Sequence, residues 1–177
     1  IGVKAINTGC PTLWGFSKEK CEKIPTQKAD EVVFTLTSYK KNPKEDQLLI
    51  DILKRNYKKV YFWIQGSEDF EYFNTFSNIE GIEIVNPTLE SFKEILQKDN
   101  TEYVGTRLHA GIYAMQNNKR SIILAIDNRS RDMCKTYNLN IVDINEIDKL
   151  EGMINSEFKT NIEIDIEKIN QWKQQFK

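Results

Sequence analysis

YVGTRLHAGIYAMQN, residues 103–117, is the stretch on which the architecture turns. Tyr103 and Val104 favour a strand, Gly105 ends it, and Leu108 to Asn117 recur at helical spacing. A strand handed at once to a helix is the building block of an α/β sheet. The small residues Ala110, Gly111 and Ala114 predict that this helix lies close to whatever it covers.

The same alternation extends in both directions. Upstream, Val32–Leu36, Val60–Ile64 and Ile82–Val85 read as strands. Helices are predicted over Asp46–Tyr57, Glu68–Phe76 and from the caps Thr88 and Ser91 to Lys98. Downstream, Ile122–Ile126 and Ile141–Ile144 are strands, with helices over Arg129–Tyr137, Glu146–Ile154 and Ile166–Phe176. Six strands alternating with helices imply right-handed crossovers. The fold class is therefore α/β: a Rossmann-like, doubly wound, mainly parallel sheet in the order 3-2-1-4-5-6. Residues 1–29 hold two prolines, two cysteines and no period, and read as an irregular entry segment with a short helix near Ser17–Glu22. Residues 30–177 form the Rossmann-like domain.

Composition narrows the partners. The 177 residues are 40% hydrophobic and 29% charged, with a formal net charge of −1, which suits one compact domain. No basic block suggests nucleic acid, and no apolar run reaches membrane-spanning length. Cys10, Cys21 and Cys134 form neither a C-x-x-C pair nor an even set, so reduced thiols in a cytoplasmic protein are expected, without metal. Neither a G-x-G-x-x-G fingerprint nor a G-K-[ST] loop is present.

In an open parallel sheet, ligands sit outside the carboxyl ends of the strands where the order reverses. That rule selects Thr37 after strand one and Gln65 after strand two. It selects Gly105, Thr106, Arg107, Leu108 and His109 after strand four, and Asp127, Asn128 and Arg129 after strand five. A helix beginning at Leu108 offers free N–H groups and a positive dipole end to an anion. Arg107 can grip such an anion bidentately. His109, the single histidine, is either a general acid or donor, or a packed helix-start residue. Asp127, Asn128 and Arg129 suit a helix cap and an ion pair as well as a ligand. The aromatic series Tyr61, Phe62, Trp63, Phe70, Tyr72, Phe73 and Phe76 reads as core rather than as a sugar platform, with Trp63 able to serve as either.

VGTRLHAGIYAMQ (104–116) and SIILAIDNRS (121–130) resemble the C-terminal signature of polysaccharide pyruvyl transferases. NTGCPTLW (7–14), FTLTSY (34–39) and FWIQGSEDFEY (62–72) are similar to one bacterial branch of that family. The resemblance implies the C-terminal half of a GT-B-type fold. It also implies transfer of pyruvate from phosphoenolpyruvate, as a ketal, onto a sugar of a surface polysaccharide or its lipid-linked precursor.

On that basis Arg107, Leu108 and His109 hold phosphoenolpyruvate, which is the donor substrate, and no cofactor is implied. The partners implied are this donor and a saccharide acceptor, met in the cytoplasm or at the inner face of the membrane. Family members run to about two domains, so the resemblance implies a further N-terminal domain. Residues 1–29 would return from it, with Asn7, Thr8 and Gly9 near the cleft. Two other readings stay open: a GT-B sugar-nucleotide glycosyltransferase domain, and a non-catalytic polysaccharide-assembly module.

Overall fold

A computed structural model describes residues 5–176. Six strands form one sheet: β1 (Glu31–Thr35), β2 (Lys59–Trp63), β3 (Glu83–Val85), β4 (Thr101–Gly105), β5 (Ser121–Ala125) and β6 (Ile141–Asp143). The order is β3-β2-β1-β4-β5-β6 and every neighbouring pair is parallel. The doubly wound reading is thus borne out, strand order included. β4 and β5 are buried at every position, as the two-sided cover of a parallel sheet requires.

Eight α-helices connect or flank the strands: α1 (Lys18–Glu22), α2 (Pro43–Asn56), α3 (Ser67–Phe73), α4 (Leu89–Leu96), α5 (Leu108–Gln116), α6 (Asn128–Tyr137), α7 (Leu150–Ile154) and α8 (Ile166–Lys173). On one face α2, α3 and α7 bury Leu49, Leu53, Phe73 and Leu150 against Phe34, Phe62, Val104 and Leu124. On the other face α4 and α5 pack Phe92 and Ala114 against Val33 and Tyr103, and α6 adds Cys134 beside Ile123. The aromatic series is core, as read: Phe62 stacks on Phe73 at 4.4 Å and Trp63 on Phe92 at 4.0 Å. Phe70 alone of the series is exposed.

Several boundaries differ from the sequence reading. α2 starts at Pro43 rather than Asp46, because proline suits the first helical turn and Asn42 precedes it. The segment after β6 is not one helix. It runs as a 3-10 stretch, Ile144–Lys149, broken at Glu146, and only then as α7. The terminal helix stops at Lys173 and ends in a 3-10 turn, Gln174–Phe176.

The entry segment is a packed part of the domain. Leu13, Phe16, Cys21 and Ile24 are buried in one cluster with Leu108 and Ile112 of α5. Trp14 meets Trp172 of α8 edge-on, with ring centroids 5.0 Å apart.

Candidate anion-binding site at the switch point

β1 and β4 are neighbours whose crossovers leave on opposite faces, so a crevice opens beyond their carboxyl ends. Gly105 makes their junction possible. A Cβ there would sit 2.7 Å from the Thr35 amide nitrogen and 2.6 Å from its Oγ1. Thr35 Oγ1 accepts from the Arg107 amide at 3.2 Å and bonds the Tyr103 hydroxyl at 2.7 Å. That hydroxyl in turn donates to the Arg107 carbonyl at 2.9 Å. The backbone of Arg107 is therefore fixed from both sides before its side chain is considered.

Thr37 and Thr106 are buried, and their hydroxyls bond each other at 2.8 Å. Thr106 also donates to the Thr35 carbonyl. Thr106 lines the crevice with Thr37 beneath it, and both hydroxyl protons are engaged within the protein.

Arg107 has a partner that the sequence reading did not assign. Its Nη2 donates to both carboxylate oxygens of Asp69, at 2.9 and 2.7 Å, and its Nε donates to the Leu36 carbonyl at 3.2 Å. The Tyr39 ring lies 5.2 Å from the guanidinium carbon. Asp69 is only 2% exposed and also accepts the Ser38 amide. Arg107 is thus held rigidly, with Nη1 free of hydrogen bonds among the described residues.

The two helices that start here differ in their caps. Asp127 caps α6 through a capping box with Ser130. Burial works to raise its carboxyl pKa, but the bonds from Ser130 and the nearby Arg129 and Lys40 outweigh it and lower the value. α5 has no side-chain cap, and among the described residues the amides of Leu108 and His109 have no acceptor. Orphan N–H groups at a helix start are the part of a helix that binds anions.

A cleft of about 150 Å³ lies between these two helix starts, lined by Tyr39, Gln65, Arg107, His109, Asp127 and Arg129 among others. Arg129 is exposed and has neither hydrogen bond nor ion pair among the described residues. Partial burial first, and the charge of Arg129 second, lower the pKa of His109 below its ordinary 6.5. The free imidazole is therefore neutral near pH 7. Its Nε2 lies 3.6 Å from Cys10 Sγ.

Thus Gly105, Thr106, Arg107, Leu108, His109, Thr37, Gln65 and Arg129 come together. Asn128 stays outside, exposed, with its side-chain oxygen 3.4 Å from Arg131 Nη1. Asn7, Thr8 and Gly9 line a different hollow, beside Tyr137, Asp165 and Lys168. Asn7 accepts the Gly9 amide, Thr8 offers its carbonyl to the Trp14 indole, and Gly9 takes a left-handed φ of 72°. They form a turn, a role equally open to them in sequence. Cys10, Asp69, Tyr39 and Asp127 complete the surroundings. In sequence Asp69 shows only as an acid in the first turn of α3.

Among the described residues no group of three or more His, Cys, Asp or Glu side chains is placed to hold a metal ion. None of the described helices is long and apolar enough to cross a membrane. No curated protein and no solved structure matches the chain. The family model described as polysaccharide pyruvyl transferase matches residues 1–128, which contain β1 to β5, the uncapped start of α5 and the Asp127 cap. The chain belongs to the polysaccharide pyruvyl transferase family.

Proposed function

We propose that the cleft binds phosphoenolpyruvate and that its pyruvyl group passes, as a ketal, to two hydroxyls of a saccharide. The observation that carries this reading is the uncapped start of α5 facing the unpaired Arg129. Both nearby carboxylates are already occupied, Asp69 by Arg107 and Asp127 by its helix cap. The field left for a ligand is that of the uncapped α5 start and one free guanidinium, which suits a small polyanion.

The residues divide the work. Arg129 and the amides of Leu108 and His109 hold the phosphate, and the rigid Arg107 orients the carboxylate. An arriving anion raises the pKa of His109, so the imidazole takes up a proton as the donor binds. Carbon 2 then bonds the first acceptor hydroxyl while carbon 3 takes a proton from His109, and the imidazole recovers one from that hydroxyl. The bond from carbon 2 to the phosphate oxygen breaks, and the second hydroxyl closes the ketal. Its proton leaves with phosphate. One donor and two hydroxyls thus give a ketal and inorganic phosphate, with no change of oxidation state.

Arg129→Ala is the discriminating variant, because its side chain is exposed and unpaired. Arg107→Ala would strand a buried Asp69, at about 3–5 kcal/mol, and mix folding with binding. Titration calorimetry should show phosphoenolpyruvate binding that weakens about tenfold or more in Arg129→Ala, the loss of one charged hydrogen bond. Binding of UDP or CMP without phosphoenolpyruvate binding would instead assign a sugar-nucleotide transferase. Silence towards all three would reject an anion site on this chain.

A further inference from the structure

The thiol of Cys10 lies 99 positions from His109 in sequence, yet 3.6 Å from its Nε2. We infer that Cys10 is a positioning residue that fixes the tautomer and orientation of the His109 imidazole, an inference that rests on the role of His109 proposed above.

The segment carrying Cys10 is held on α5 by several independent contacts. Leu13 is fully buried in the cluster with Leu108 and Ile112. Its amide donates to the Cys10 carbonyl at 3.0 Å, closing the turn. Gln116, at the far end of α5, donates to the Thr12 carbonyl at 2.6 Å. The thiol is therefore delivered to the first turn of the helix by a rigid frame.

Cys21 and Cys134 have no such setting. Both are buried, and burial pushes the Cys134 thiol up to about 12. Cys10 is the partly exposed thiol, and it touches two polar side chains: His109 Nε2, and Thr12 Oγ1 at 3.0 Å. The charged groups around the same cleft, Arg107, Arg129 and Asp127, make no hydrogen bond to the ring.

A thiol has one proton, and an imidazole nitrogen accepts it better than a hydroxyl does. In the free protein Sγ–H thus donates to Nε2, and the Thr12 hydroxyl donates to the sulfur. Nδ1 then carries the ring proton, because neutral imidazole has only one. When the ring becomes doubly protonated, Nε2–H donates to sulfur and the thiol proton turns to Thr12 Oγ1. One residue can serve both states only if it both donates and accepts. Serine shares that property and alanine does not.

His109 is the single histidine of the chain, so ring ¹⁵N spectra report on it alone. In the free protein near pH 8 the spectra should show the Nδ1–H tautomer. Cys10→Ser should preserve it, and Cys10→Ala should shift the ring towards Nε2–H while the backbone amide spectrum stays folded. A wild-type ring already in the Nε2–H form would overturn the inference without any variant. So would a folded Cys10→Ala protein with unchanged ring nitrogens. Because no donor is present, this outcome is separate from whether phosphoenolpyruvate binds.

Discussion

At the scale of single residues, the proposed site makes donor binding depend on pH through His109. Its pKa in the free protein is lowered by burial and by Arg129. A bound polyanion raises it, so binding takes up a proton at any pH between the free and bound values. Phosphoenolpyruvate affinity should therefore increase as pH falls through that window, and the dependence should vanish in His109→Gln. Calorimetry in two buffers of different ionisation enthalpy measures the proton uptake directly. The same depression has an opposite effect on the empty fold. Below the ordinary value of 6.5 the unfolded chain takes up this proton first, so stability falls with pH until the folded value is passed. The placement of Arg107 and His109 at a helix start beyond a strand end was legible, because glycine, a cation and a histidine follow a strand there in close order. The link of Arg107 to Asp69 was not. The two lie 38 positions apart, and only the placement of β2 and β4 on either side of β1 brings the loops that follow them together.

At the scale of elements, the placement of α5 depends on how closely it meets the sheet. A Cβ on Gly111 would lie 2.6 Å from Cγ1 of Ile123 and 3.1 Å from Cε1 of Tyr103. Gly111→Ala gains helix propensity of about 1 kcal/mol at most, whereas overpacking costs about 1–3 kcal/mol. The urea midpoint should fall without a change in slope, and donor affinity should fall with it if α5 moves outward. Such close packing was readable from Ala110, Gly111 and Ala114 as a run of small residues. The break after β6 was not readable, because Ile144, Ile147, Leu150 and Ile154 keep a helix-like spacing across the irregular Glu146. Spacing reports which side chains are buried, and a 3-10 stretch followed by an α-helix buries nearly the same set.

At the scale of the whole molecule, the end of the sheet opposite the cleft is fastened by a buried ion pair. Arg120 donates through Nη1 to both oxygens of Glu102, at 2.7 and 2.8 Å. Through Nη2 it donates to the carbonyls of Met153, Ile154 and Ser156, each at 3.0 Å. It thereby closes the last turn of α7 against β4 and β5. Tyr57 and the Ala29 amide supply further donors to Glu102. Arg120→Ala should cost about 3–5 kcal/mol, because it leaves the buried Glu102 carboxylate without its countercharge and the Ile154 and Ser156 carbonyls without their donor. Below the lowered melting temperature, donor affinity should match the wild type, which separates this fastening from the site. None of this was visible in sequence, where both residues read as ordinary charges beside strands. Strand order was visible, because alternation and handedness leave few topologies.

That order has a consequence for synthesis on the ribosome. β1 pairs with β2 on one edge, but its other edge waits for β4, with Glu31 opposite Thr101, 101 − 31 = 70 positions later. At about 5–20 residues per second, the strand carrying the apolar side chains of Val32, Val33 and Phe34 has an open edge for roughly 4–14 s. During that interval the nascent chain presents a bare strand edge of the kind that recruits other strands. A chaperone that shields extended apolar segments would be of most use to this protein between the emergence of β1 and that of β4.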